Sequence, residues 1–288
     1  MIKELIISMR PRQWYKNLVI FVGIVFSFNL LNLNLWIGAI GAFAVFCALS
    51  GSIYILNDII DIEKDKNHPQ KRMRPIASER LNPNYALVFA AIFIILALFV
   101  AYLINILFFI SALTFFLLIL IYSLFLKHFI IVDIMIISTG FVIRAIAGCL
   151  AIDVLVSPWL IICAFLLALF LAIGKRRHEL IILGGNAENH RKILDGYSTE
   201  MLDQMINITT SALIMSYSLY TFFTGKIFIM LTIPFAFYGL FRYIYLVHKE
   251  NFGGEPEMLF KDRGMLFSII LWVLLAVFVL YGSVIFKF

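Results

Sequence analysis

The chain has 288 residues, 63% hydrophobic and only 14% charged, with a mean hydropathy of +1.00 and a formal net charge of +6. Soluble domains are about half apolar and roughly a quarter charged, so this composition excludes a soluble globular protein and points to an integral membrane protein. The three cysteines, Cys47, Cys149 and Cys163, lie inside apolar runs without metal-ligand spacing and read as small buried hydrophobes. The N-terminus is too polar to be a cleaved signal peptide, so insertion is expected through the first membrane helix.

Charge-free runs place the membrane helices in chain order. Residues 17–57 carry no charge and suit two crossings with a turn at the asparagines 29, 32 and 34; residues 81–126 again hold two, broken near Asn105. Further spans are expected over about 131–151, 157–174, 204–225, 227–247 and 264–286. Each is near the ~20 residues that a bilayer requires. The expectation is an all-α bundle of nine transmembrane helices, forming a single polytopic domain over 1–288. Its active-site loops should be at about 58–83 and 175–203.

Nine crossings put the termini on opposite sides. All of the 23 lysines and arginines except Lys226, Lys287, Arg144 and Arg242 fall at the N-terminus or in alternate loops. The positive-inside rule then places the N-terminus in the cytoplasm and the C-terminus outside, with every sizeable loop cytoplasmic. Acidic residues contribute little to orientation, so this asymmetry leaves unexplained why aspartates accompany the basic loops.

The segment "SIYILNDIIDIEKDKNHPQKRMRPIAS", residues 52–78, joins a carboxylate cluster to a cationic one. If the helix continues past Asn57, then Asp58, Asp61 and Asp65 lie within roughly 60° of one another. Three carboxylates on one stripe repel each other unless a cation neutralises them. Hard oxygen ligands suit magnesium, which commonly binds one or two carboxylates plus substrate phosphates, and Asn57 can add a neutral ligand. His68, Lys71, Arg72 and Arg74 follow at once, as expected for a phosphate-rich ligand held between metal and cations. Contact with anionic lipid head groups is the competing reading of these cations.

"NDIIDIEKD" followed by "HPQKRMRPIA" resembles the first aspartate-rich motif of the UbiA superfamily of intramembrane prenyltransferases, and the nine expected spans match that superfamily. The resemblance implies that the stripe binds magnesium and a diphosphate. It also predicts a second aspartate motif after the sixth helix, where this chain instead reads "LFLAIGKRRHELI", with Lys175 and Glu179 in place of paired aspartates. Together with "RPRQWYKN" at 10–17, "YSLFLKHFIIVD" at 122–133 and "RAIAG" at 144–148, this stretch is similar to the decaprenyl-phosphate phosphoribosyltransferases, a branch of the superfamily. That branch transfers a 5-phosphoribosyl group from phosphoribosyl pyrophosphate to a polyprenyl phosphate.

The resemblance implies catalytic roles for Asp58, Asp61 and Lys175, and magnesium ligation by Asn57, Asp58, Asp61 and Asp65. Lys71, Arg72, Arg74, Lys127, Lys175 and Arg176 are expected at phosphates, and Arg12 and Lys16 at the lipid phosphate. Tyr122, Asp133, Arg144, Glu179, Arg191 and Tyr197 complete the candidate substrate-binding set. Asp133 and Arg144 are eleven residues apart, close to three helical turns, so they share a face about 16 Å apart along the axis. An arginine inside a span is costly and calls for an anionic partner, either a phosphate or an acidic residue of another helix. The expected partners are phosphoribosyl pyrophosphate, a polyprenyl phosphate and the membrane, and no nucleic acid. No nucleotide-binding glycine-rich loop follows a strand and no GKS/T motif occurs. Two other readings remain open at this point. One is an ordinary prenyltransferase with a prenyl diphosphate donor; the other is a transporter with Asp133 and Arg144 on an ion path.

Overall fold

A computed structural model describes residues 2–183, 194, 196–249 and 262–285, with side chains to 282. Among these residues there is no strand. The α-helices are α1 (Ile2–Ser8), α2 (Val22–Phe26), α3 (Leu33–Ile60), α4 (Ile62–Lys66), α5 (Pro83–Ile104) and α6 (Ile106–Leu124). They continue with α7 (Val132–Ala151), α8 (Pro158–Leu183), α9 (Thr199–Phe223), α10 (Ile233–Lys249) and α11 (Arg263–Ile285). Short 3-10 helices cover Pro11–Phe21, Lys71–Met73, Leu126–His128 and Ile227–Thr232.

Among the described residues seven segments are long and apolar enough to cross a membrane: α3, α5, α6, α7, α8, α11 and the joined stretch Ile227–Lys249. Two of the nine expected crossings differ. The seventh lies within α9, which has 25 residues but begins with the polar stretch TEMLDQ. The first is not one regular α-helix but the 3-10 helix Pro11–Phe21 followed by the five-residue α2. Arg10 enters this stretch with a left-handed φ of 52° ahead of Pro11. A 3-10 helix of eleven residues is unusually long, because its hydrogen bonds are poorer than those of an α-helix. Tertiary contacts fix it: Ile20 is fully buried, and its carbonyl lies so close to Gly148 that a Cβ there would stand 2.0 Å from the oxygen. The glycine of "RAIAG" therefore permits the approach of the first segment.

The asparagines do what their spacing suggests. Asn32, Asn82 and Asn105 cap α3, α5 and α6 by accepting from the amides of Asn34, Asn84 and Phe108. The expected break at Asn105 is present, and its amide also donates to the Leu150 carbonyl at 2.7 Å.

The chain divides into two compact units. Unit 1 comprises residues 1–125 and 140–156. In it α3 packs against α5, α6 and the Pro11–Phe21 segment. Ala86, Ala90, Ala97 and Ala101 recur at four- and seven-residue intervals and form the buried face of α5, where small side chains allow close helix approach. On its other faces Ile95, Phe99 and Leu103 are more than half exposed, as suits a lipid-facing surface. The 58–83 loop is anchored by Ile76 and Leu81, which pack with Leu5, Met9, Ile55, Ala86 and Ala90.

Unit 2 comprises residues 126–139 and 157–288, so α7 contributes its first part to one unit and its second to the other. Here α8 packs on α9, and α10 on α11. Ile134, Phe170, Ile173, Leu202, Ile206 and Tyr243 form its core. Gly174 lets the Tyr243 ring lie across α8, since a Cβ would meet its hydroxyl at 2.3 Å.

Candidate active site

Each unit carries a charged centre at the end of its apolar helices. In unit 1, α3 stops at Ile60, but the i to i−4 bonding continues through Asp61 N to Asn57 O (2.9 Å) and Asp65 N to Asp61 O (2.8 Å). The carboxylate stripe thus runs from α3 into α4 around a bend at Asp61. Asp58 and Asp65 are enclosed, with 2% and 3% of their side chains exposed. Arg74 Nη1 lies 3.1 Å from Asp58 Oδ1 and 2.6 Å from Asp65 Oδ2, so one nitrogen bridges both carboxylates. Arg10 donates to the same oxygen of Asp58 and stacks over the Tyr54 ring at 4.7 Å. Asp61 is more open and lies 3.6 Å from Lys64. Asn57 is half-buried beside Asp58.

The following loop presents cations on a fixed turn. His68 Nδ1 accepts from the amides of Gln70 and Lys71, leaving Lys71 and Arg72 exposed on the 3-10 turn. Lys66 pairs with Glu79 at 3.1 Å, which holds its ammonium above the ordinary lysine range. Arg80 reaches Glu4 at 3.3 Å, tying the loop to α1. Arg12 is exposed and Lys16 is half-buried, 6.0 Å from the Tyr15 ring.

The donor set fits a metal–phosphate ligand better than an all-protein cage. Among the described residues no three His, Cys, Asp or Glu side chains gather as metal ligands. Two enclosed carboxylates that already share one cationic nitrogen are the number magnesium commonly takes from protein when phosphate oxygens supply the rest.

Arg144 occupies the middle of α7 and is 8% exposed. Its Nε donates to Asn17 Oδ1 at 2.8 Å and its Nη1 to the Gly140 carbonyl at 3.1 Å, and it lies over Phe115 (4.5 Å) and Phe141 (5.0 Å). Among the described residues no carboxylate pairs with it. The shared face with Asp133 does not bring those two together: each finds its partners within its own unit.

In unit 2, Asp133 is fully buried. It accepts from Arg176 Nε at 2.6 Å and from the Tyr197 hydroxyl at 2.9 Å. Arg176 also holds Glu179 at 2.5 Å. The Tyr197 hydroxyl in turn accepts from the Ile131 amide at 2.7 Å, and Ile131 has a left-handed φ of 67°. Burial, joined by the Asp133 carboxylate, pushes the Tyr197 phenol up to about 12. Lys175 is half-buried one residue before Arg176; Tyr122 and Lys127 are half-buried near the end of α6 and in the turn after it. Arg191 lies outside the described residues.

Sequence reasoning missed several of these groups. Arg10 and Asn17 stood inside the quoted "RPRQWYKN", but only a structure pairs them with Asp58 and Arg144. The Arg177–Asp203 pair (2.6 Å), with His248 Nε2 3.1 Å from the same carboxylate, joins residues with no common motif.

Comparison with known proteins places the chain in a family. The sequence model of the UbiA prenyltransferase family matches residues 17–268. A decaprenyl-phosphate phosphoribosyltransferase of Mycolicibacterium smegmatis is 30% identical over 95% of this chain and 91% of its own. Its namesake in Corynebacterium glutamicum is 29% identical over 95% of this chain and 86% of its own. Among solved structures, a UbiA homolog from Archaeoglobus fulgidus bound to GPP and Mg2+ superposes with a TM-score of 0.74 at 17% identity, covering 96% of this chain and 98% of that one. The all-helical character of the described residues and the span of these matches agree: this membrane-embedded chain belongs to the UbiA prenyltransferase family and is a transferase.

Proposed function

We propose that this transferase moves a 5-phosphoribosyl group from phosphoribosyl pyrophosphate to a polyprenyl phosphate of the decaprenyl type and releases diphosphate, with magnesium. The observation that carries this reading is the likeness, along 95% of the chain, to relatives named decaprenyl-phosphate phosphoribosyltransferase. The basic "GKRRHE" stretch supports it, because both substrates are anionic at their reacting ends and need fixed cations.

In this reading Asp58, Asp61 and Asp65, with Asn57 beside them, would hold magnesium, and the bound ion would neutralise charge on the leaving diphosphate. Arg10, Arg74, Lys71 and Arg72 bind the phosphates of the donor. The bond between the anomeric carbon and the diphosphate oxygen breaks with its electron pair going to diphosphate. A polyprenyl phosphate oxygen attacks from the opposite face and forms the new bond, inverting the configuration. That phosphate is already ionised at neutral pH, so no general base is required, and the residues act by positioning and electrostatics. Arg144, buried without a carboxylate, is assigned to a phosphate, as are Lys127 and Lys175. Arg12 and Lys16 serve the lipid phosphate. Asp133, Tyr197 and Glu179 fix Arg176 and so set the position of Lys175. The N-terminus and the charged helix ends face the cytoplasm, and the C-terminus faces outside.

The test uses purified protein in detergent with magnesium, phosphoribosyl pyrophosphate labelled in the ribose and a short polyprenyl phosphate. Label should enter the organic phase, fall on the order of 100-fold or more in Asp58→Asn, and fall in Lys175→Asp. Turnover of a prenyl diphosphate with an aromatic acceptor, and no label from the sugar donor, would replace this reading with an ordinary prenyltransferase.

A further inference from the structure

Arg74 touches both enclosed carboxylates through a single nitrogen, 3.1 Å from Asp58 Oδ1 and 2.6 Å from Asp65 Oδ2. Those are two of the four carboxylate oxygens that a divalent cation bridging Asp58 and Asp65 would draw on. Arg10 donates to the same Asp58 oxygen. The arginines are the accessible partners: 27% and 30% of their side chains are exposed, against 2% and 3% for the aspartates. Two guanidiniums already neutralise two carboxylates. A divalent cation entering beside them would crowd positive charge, unless the arginines move. A diphosphate offers them somewhere to go, because its oxygens match the planar guanidinium fork.

Resting on the metal–diphosphate reading above, we propose that Arg74, assisted by Arg10, is an exchangeable placeholder. It bridges Asp58 and Asp65 before substrate arrives, then transfers to the phosphates of the incoming donor. Metal and anion therefore bind as a coupled pair, and each is disfavoured alone.

The test measures Mn2+ binding to the purified full-length protein in detergent, reading free Mn2+ by electron paramagnetic resonance, with and without inorganic phosphate. Wild type should bind Mn2+ weakly alone and more tightly with phosphate. Arg74→Gln should bind Mn2+ alone on the order of tenfold tighter than wild type, since a charge-assisted competitor for the same oxygens is gone. Its affinity should then respond less to phosphate. An Arg74→Gln protein that binds Mn2+ no tighter than wild type overturns the exchange. So does a wild-type affinity indifferent to phosphate, a result that stands even if the variant does not fold. Mn2+ binding that is absent with phosphate present, or unchanged in Asp58→Asn, would instead remove the metal reading and this inference with it.

Discussion

Both charged centres use one guanidinium to bridge two carboxylates, yet they are built in opposite senses. In unit 1 the carboxylates are enclosed and the arginines reach solvent. In unit 2 the arginine is enclosed, at 3% exposure, and one of its carboxylates, Asp133, is at 0%. The member that water can reach is the one that can leave. Unit 1 thus encloses its anionic oxygens and leaves its cations at the surface, while unit 2 encloses the cation itself. Under the function proposed above, the same residue types make a ligand site in unit 1, and in unit 2 they make a buried lock.

The lock should be the more costly to break. Asp133→Asn leaves Arg176 buried without the Asp133 carboxylate and should lower stability by about 3 kcal/mol. Asp133→Asn combined with Arg176→Met should be less destabilised than either single change, because both desolvated charges go together; thermal unfolding in detergent reads both. Equal losses in the single and double variants would erase the contrast. Gly148→Ala should cost about 2 kcal/mol by driving a Cβ into the Ile20 carbonyl. It should also weaken the transfer reaction proposed above, since the displaced segment carries Arg10 and Asn17. Arg74→Gln should cost less than Asp133→Asn, on the order of 1–2 kcal/mol, because water reaches the place it vacates.

Tyr197→Phe is expected to have the smallest effect, about 1 kcal/mol for the lost hydroxyl bonds. Its pH dependence is specific. With the folded phenol raised from near 10 to about 12, the hydroxyl contributes fully below pH 10, and its contribution is lost as pH rises towards 12. The stability gap between wild type and Tyr197→Phe should therefore close over that window, as followed by denaturant unfolding at a series of pH values.

Much of this was legible in the sequence, and the failures have physical causes. Charge-free runs locate the spans because a bilayer excludes charge, and the aspartate stripe stands out because three carboxylates on one helix face repel one another unless cations lie beside them, as Arg10 and Arg74 do. The break at Asn105 is legible because asparagine caps helices well. The 3-10 form of the first segment is not legible, because apolarity reports length and not helix type, and its close approach is to Gly148, more than a hundred residues away. Pairings such as Arg144 with Asn17, or Arg176 with Asp133, are set by tertiary packing and leave no local periodicity. Helical phase correctly put Asp133 and Arg144 on one face, but a common face does not decide which partners each one meets.

Ile131 carries a consequence for motion. A β-branched residue with φ near 67° sits in a region that costs on the order of 1–3 kcal/mol, and it persists only where its surroundings hold it. Its amide is held by Tyr197, whose hydroxyl is anchored on Asp133 two residues further along the chain. The entry to α7 is thus a cocked spring: the phenol is one catch, and the Met135 amide on the Ile131 carbonyl and the Asp133 amide on the Phe129 carbonyl are others, so the strain is shared between a side chain and the first turn of the helix.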